Sequence, residues 1–361
     1  MRQVNFASDN VTGASAPVMA ALAAANGGPS AAYGTDELTR EVERRFCEIF
    51  ERDVDVLLVA SGTAANALAL SAALSPWGAC LCHEEAHVME DECGAPEFFS
   101  GGAKLVGLPG IGAKLEAGTL AAAIDRLPSH EKQVPAECVS ISQASEAGLV
   151  YRPEEVAALG ETCHGRSIRL HMDGARFANA LVRLGCSPAA MTWQAGVDIL
   201  SFGGTKNGCL AAEAILVFDR DLAATLRRRR KRSGHTLSKG RLLSAQFRGY
   251  LADDHWLDNA RHANRMASNL SDGLASIPGV RLGWKTEANE VFAILPAHVD
   301  AALKASGVLY YPWSTRSLPP GSAPQDGEAL VRMVTSFATT PEDVDATVQA
   351  AAAATPARSA R

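Results

Sequence analysis

Lys206 lies in Ser201-Phe202-Gly203-Gly204-Thr205-Lys206-Asn207-Gly208, just past the apolar run Val197 to Leu200. Its small neighbours leave the amine free to reach into a pocket. Upstream, Asp173 ends the apolar run Ser167 to Met172 within His171-Met172-Asp173-Gly174-Ala175-Arg176. A lysine and a carboxylate placed in this way suit pyridoxal phosphate (PLP) chemistry. The lysine forms a Schiff base with the cofactor's aldehyde, and the carboxylate keeps the pyridinium nitrogen protonated so that the ring draws electrons. Each motif alone has a plainer reading, with Lys206 in a turn and Asp173 capping the next helix.

Other residues could serve the same chemistry. Ser61-Gly62-Thr63-Ala64-Ala65-Asn66 follows a strand pattern and opens a helical one. Backbone N–H groups and a hydroxyl at a helix start make a phosphate site; the alternative is a serine N-cap on an alanine-rich helix. His83-Glu84-Glu85-Ala86-His87 matches the zinc-hydrolase pattern H-E-x-x-H, which works only on a helix, where residues four apart share a face. Here His83 follows the strand-like run Ala79 to Cys82, and Glu90 and Cys93 stand where a metzincin would continue with glycine and histidine. No metal site is therefore expected. His87 falls beyond a strand end, where an imidazole can stack on a cofactor ring, move protons near neutral pH, or serve only as a hydrogen-bonded structural residue.

Arg176 and Arg332 are candidate carboxylate clamps, because guanidinium meets carboxylate with two parallel N–H groups. Arg332 interrupts the apolar run Ala329 to Val334, so it needs an anionic partner, either a buried acid or a substrate. Ser8-Asp9-Asn10 and Tyr33-Gly34 with Asp36 read as polar turn clusters.

The elements that must position these groups alternate. Strand patterns at 54–60, 79–82, 104–108, 138–142, 167–173, 198–202 and 214–218 are separated by helical ones, notably 63–74, 120–127, 153–164 and 177–184. That rhythm predicts an α/β domain with a largely parallel sheet. Ligands in such sheets bind beyond the carboxyl ends of the strands, where Ser61, Asp173 and Lys206 all fall. After about residue 240 the rhythm changes to a long helix (Arg241 to about Leu274) and short strands at 280–284, 290–295, 308–311 and 330–334. The expected organisation is an N-terminal segment with a large cofactor-binding domain over 1–240, a small α+β domain over 241–350, and a flexible tail over 351–361.

Composition restricts the function further. The chain has 361 residues, long enough for two domains. Its apolar content is 47% and its charged content 20%, as in an ordinary globular enzyme. The net charge of −6 argues against nucleic acid as a partner, and the basic run Arg227 to Arg232 reads as a solvated helix face. Eight cysteines without a framework spacing are expected to be reduced, which points to the cytoplasm. No apolar stretch approaches the roughly 18 residues of a membrane span.

Taken in order, Ser8-Asp9-Asn10, Ala32-Tyr33-Gly34, Gly62 to Asn66, Ala86-His87, His171 to Arg176 and Lys206 resemble the threonine aldolase (β-eliminating lyase) family. Asp91 to Ser100 and Phe202 to Gly208 are similar to stretches of its bacterial low-specificity L-threonine and phenylserine aldolases. The resemblance spans residues 5 to about 275 and is weaker beyond. It implies a fold-type I, aspartate aminotransferase-like domain with a mainly parallel seven-stranded sheet, and retro-aldol cleavage of L-β-hydroxy-α-amino acids to glycine and an aldehyde. By the same resemblance Lys206 would bind PLP covalently and Asp173 would pair with the pyridinium. Gly62 and Thr63 would hold the phosphate, with His87 on the ring and Arg176 beside it. Ser8, Arg176 and Arg332 would bind the substrate carboxylate. Tyr33, with Lys231 or Lys239, would reach a neighbouring subunit's site in a homodimer or homotetramer. Many members carry a second active-site histidine where this chain reads Ala144-Ser145-Glu146-Ala147-Gly148. The alternatives are another PLP reaction (β-elimination, racemisation or transamination), a zinc hydrolase through His83, Glu84 and His87, or a silent PLP fold that binds a partner.

Overall fold

The computed structural model describes residues 3–127 and 130–354. Its large sheet has seven strands: β1 (Asp55–Val59), β2 (Ala79–His83), β3 (Lys104–Leu108), β4 (Ala136–Ser142), β5 (Arg169–Gly174), β6 (Ile199–Gly203) and β7 (Glu213–Val217). They lie in the order β1-β7-β6-β5-β4-β2-β3. Only β7 runs antiparallel to its neighbours, β1 and β6; the remaining pairs are parallel. Helices cover both faces, which is why the strands are near-continuous apolar runs rather than alternating ones.

Register places the site. Ser142 pairs with Asp173 across β4 and β5, and Asp173 with Ser201 across β5 and β6. Three polar side chains therefore stand side by side at the carboxyl edge of the sheet. Beneath them His171 is sealed between the hydroxyls of Ser140 (2.9 Å) and Ser201 (3.0 Å), and burial pulls its pKa down to about 4. An aromatic cluster backs β6: Phe202 meets Phe46, Phe50, Phe177 and Trp256 at 5.3 to 6.2 Å between ring centroids. Each such buried ring contributes roughly 1.5–3 kcal/mol over an exposed one, so the floor under the Lys206 loop is stiff.

The small sheet joins Arg281–Leu282, Glu290–Pro296, Tyr311–Pro312 and Glu328–Val334, all antiparallel. Three expectations change here. The long helix breaks into Arg241–Leu251 and His255–Ala275, because Asp253 and Asp254 adopt φ of +49° and +56°. Aspartate tolerates that left-handed region, and no glycine or proline marks the break in the sequence. The run 308–311 serves two sheets, with Val308–Leu309 pairing in parallel with Val4–Asn5, and Tyr311–Pro312 joining the small sheet. The N-terminal segment thereby seats Val4 and Phe6 in the small domain's core. At the other end the last helix, Pro341–Ala353, runs past the expected tail boundary with Ala351 fully buried; residues 355–361 lie outside those described.

Candidate functional site

A cavity of about 380 Å³ opens at the carboxyl ends of β4, β5 and β6. Lys206, Asp173, His87, Gly62, Thr63 and Arg176 all line it. Lys206 follows β6 in a short turn, Thr205–Asn207, whose conformation is enforced from several sides. The Asn207 amide donates to Tyr250 Oη and to the Trp256 carbonyl, each at 2.7 Å, and Asn259 donates to the Asn207 carbonyl at 2.8 Å. Gly203 must lack a side chain, since a Cβ there would sit 2.5 Å from the Ala175 carbonyl oxygen. The Lys206 amine itself has no hydrogen bond or ion pair within the described residues, which leaves it free for a ligand.

Asp173 is buried and held by two donors: Asn66 Nδ2 at 2.8 Å on one oxygen and the Ala175 N–H at 3.0 Å on the other. The helix Gly62–Ala73 begins at the cavity wall, with Ser61 capping the Ala64 N–H at 3.3 Å. The preceding N–H groups, of Gly62 and Thr63, have no intrahelical acceptor by position, and the space above Gly62 is open. An unpartnered amine, a fixed carboxylate and a helix start with open donors are the donor set PLP requires, so the residues fit that cofactor.

His87 opens a one-turn helix, His87–Glu90. Its Nδ1 lies 2.9 Å from Glu92 Oε1, and that hydrogen bond raises the imidazole pKa against the opposing effect of burial. The same Glu92 oxygen accepts from Asn66 Nδ2 at 2.8 Å, so Asn66 ties the histidine pair to Asp173. The H-E-x-x-H pattern does not lie on one helix. His83 ends β2, its Nε2 against the Gly110 carbonyl at 3.0 Å and its Nδ1 accepting from the Glu85 N–H. Among the described residues, the group whose ligand atoms approach within 4.8 Å of one another is His87, Glu92 and Asp173, without His83. The hydrogen bonds through Asn66 and His87 account for that closeness.

Arg176 is buried, with both oxygens of Asp9 at 2.9 and 3.2 Å and Glu290 at 3.3 Å. Burial works against its charge, but Asp9, Glu290 and Glu146 outweigh that and hold its pKa above the ordinary value. Arg332 stacks on Trp313 at 4.0 Å, donates weakly to the Ala7 carbonyl (3.4 Å) and reaches Glu290 at 3.9 Å. Its Nε is buried without a partner. Neither Ser8 nor Arg332 is among the residues that line the cavity; the Ser8 hydroxyl accepts from the Asn10 N–H at 3.1 Å. Tyr33 lies away from the cavity, 51% exposed, with Lys231 4.8 Å over its ring. All eight cysteines are free.

A sequence profile of the beta-eliminating lyases matches residues 5–297. The chain belongs to the beta-eliminating lyase family. One relative of this lyase is the low specificity L-threonine aldolase of Pseudomonas aeruginosa, 47% identical over 310 residues, or 85% of this chain and 88% of the relative. Another, the low-specificity L-threonine aldolase of Candida albicans, is 27% identical over 268 residues, 74% of this chain and 70% of its own. The solved structure of threonine aldolase from Leishmania major superposes with a TM-score of 0.89 at 29% identity, covering 96% of this chain and 98% of that one.

Sequence reasoning about this lyase missed the acids behind the cavity. Glu92, Asp9 and Glu290 are buried beside His87 or Arg176, and the spacing carries no sign of it. One signal was available: Arg176 and Arg332 in apolar surroundings each demand a buried anion. Glu146, in the segment where the family often has histidine, lines the cavity and accepts from the His87 N–H at 3.3 Å.

Proposed function

We propose that this lyase cleaves β-hydroxy-α-amino acids of the L-threonine, L-allo-threonine and L-phenylserine type to glycine and an aldehyde, reversibly and with PLP as its cofactor. The observation that carries this reading is the convergence of Lys206, Asp173 and His87 on one cavity in a chain so similar to threonine aldolases. Bound there, PLP would supply an electron sink that stabilises negative charge at the amino acid's Cα. Lys206 would hold it covalently, Asp173 would face its ring nitrogen, and Gly62 and Thr63 would take its phosphate. His87 would lie against its ring, with Arg176 at its edge. Arg176 in the cavity wall, with Arg332 and Ser8 beyond the lining, would bind the substrate carboxylate and so orient the Cα–Cβ bond. Tyr33 and Lys231 or Lys239 would complete the site of a second copy in a homodimer or homotetramer.

The test is product analysis. The PLP-loaded protein should release glycine and the matching aldehyde from all three substrates, and Lys206→Ala should abolish turnover. A 2-oxo acid and ammonia in place of glycine would reassign the reaction as β-elimination. Full activity from a species that sediments as a monomer would remove the shared site.

A further inference from the structure

We propose that Glu146 is the base that takes the proton from the substrate's β-hydroxyl; this rests on the aldolase reading above. Three carboxylates line the cavity: Asp173, Glu213 and Glu146. Asp173 is committed to Asn66 and the Ala175 N–H. Glu213 is committed to the Gly204 N–H at 2.7 Å and to Thr205 behind the lysine turn. Glu146 accepts only the His87 backbone N–H, on Oε1, and among the described residues its other oxygen is uncommitted.

The loop that carries it is built to hold it still. Ser145 N donates to the Leu149 carbonyl, Gly148 N to the Ser145 carbonyl, and Ser145 Oγ to the Gly112 carbonyl, each at 2.8 Å. Gly148 has a φ of +69°, and a Cβ there would press on Phe292 and Glu290 at 3.1 and 3.2 Å. A fixed loop with one free carboxylate oxygen at the cavity wall is a positioned acid–base group.

His87 is the obvious rival, but its Nδ1 is taken by Glu92 and its ring is the group placed against the cofactor, which leaves Nε2 alone to reach a substrate hydroxyl. Glu146 carries no such second duty. Burial raises its pKa, with Asp173 adding to the rise and His87, Lys206 and Arg176 opposing it. Glu290 and Arg332 stand further back in the same network. A carboxylate moved toward neutral pH is a stronger base than an exposed one.

The step balances. The β-hydroxyl O–H bond breaks and its proton passes to Glu146. The electron pair left on oxygen closes the aldehyde C=O as the Cα–Cβ bond breaks, leaving that bond's pair at Cα. Cα is then protonated to glycine, by solvent or by Lys206, and Glu146 returns its proton to water.

The experiment compares two reactions of the PLP-loaded enzyme. Exchange of the glycine α-hydrogen in D2O, followed by NMR, does not involve a β-hydroxyl; cleavage of L-threonine does. Glu146→Gln, which keeps the shape and the acceptor for the His87 N–H, should exchange glycine within about threefold of wild type while cleaving threonine about 10²–10⁴-fold more slowly, the usual worth of a general base. Glu146→Ala should behave likewise and regain part of its cleavage rate in formate, which can replace the carboxylate. Cleavage by either variant near the wild-type rate overturns the assignment, as does a parallel loss of exchange and cleavage. Wild-type enzyme that neither exchanges nor cleaves would instead overturn the aldolase reading, and the assignment with it.

Discussion

Asp9 and Arg176 meet through two hydrogen bonds, 2.9 and 3.2 Å long, across 167 residues of chain. The pair docks the N-terminal segment, whose strand belongs to the small domain, onto the end of β5 beside Asp173. Desolvation raises the Asp9 carboxyl, but Arg176, Lys206 and Asn289 outweigh it and hold its pKa below the usual carboxylate range. That stabilisation is present above the unfolded pKa and is lost as pH falls through the folded one. Asp9→Asn should therefore cost about 3 kcal/mol near pH 7, the lower part of the range for breaking a buried pair, because Glu290 remains beside Arg176. Urea titration gives the number; a loss under about 0.5 kcal/mol would mean that Glu290 alone compensates.

Glu92→Gln tests the histidine pair. Glutamine can still accept from Asn66 and His87 but carries no charge. The raised His87 pKa should fall toward the ordinary value, since its first cause is the Glu92 hydrogen bond. A raised histidine contributes stability that is full below the unfolded pKa and lost as pH rises through the folded one, so the variant should lose about 1.5–3 kcal/mol below the folded His87 pKa while Glu92 is still ionised; burial raises the Glu92 pKa too, so the difference fades again in more acid solution. An NMR titration of the His87 Cε1 proton that is unchanged in the variant would separate Glu92 from the imidazole's charge.

The fold and half of this site were legible for a physical reason. Strands buried on both faces must be continuous apolar runs, so their ends, and the polar residues just past them, stand out: Asp173 and Lys206 are such residues. The acids were not legible because nothing local calls for them. Asn66 bonds Asp173 from 107 residues away and Asn289 bonds Asp9 from 280, and only tertiary packing makes those neighbours. The helix break at Asp253-Asp254 was hidden for a related reason: the apolar period continues on either side of two residues that can adopt positive φ.

Glu213 should make stability fall with pH. Burial pushes its pKa up to about 7, against donors from Thr205 and Gly204 and the charge of Lys206. An unfolded glutamate titrates near about 4.3, so between these values the folded chain keeps a proton that the unfolded chain releases. Stability therefore declines across that interval, by on the order of 3 kcal/mol at about 1.4 per unit. Glu213→Gln cannot ionise. Its advantage over wild type, measured on the apoprotein by urea melts, should be near zero at about pH 4 and grow to on the order of 3 kcal/mol by about pH 8. A difference that does not change with pH would mean the carboxyl finds a counter-ion on titration.

Arg176 and Arg332 share the acid Glu290 but differ in what they have left to give. Arg176 spends its Nε and Nη2 on Asp9 and Glu290, which fixes it in the cavity wall with only Nη1 left to give. Arg332 lies over the Trp313 ring, only 14% exposed, with Glu290 no nearer than 3.9 Å and its Nε unpaired. Burial accordingly lowers its pKa, which Glu290 only partly offsets. An incoming carboxylate would relieve that deficit with charge-assisted bonds that Glu290 does not make at this distance. Arg332→Lys should therefore raise KM for L-threonine about 10–100-fold, the worth of a hydrogen bond to a charged group, while PLP affinity stays within a few-fold. The variant should gain stability or hold it, since a lysine there can extend toward water. A KM that stays level while the folded state weakens would make Arg332 a structural partner of Glu290 and leave the substrate carboxylate to Arg176.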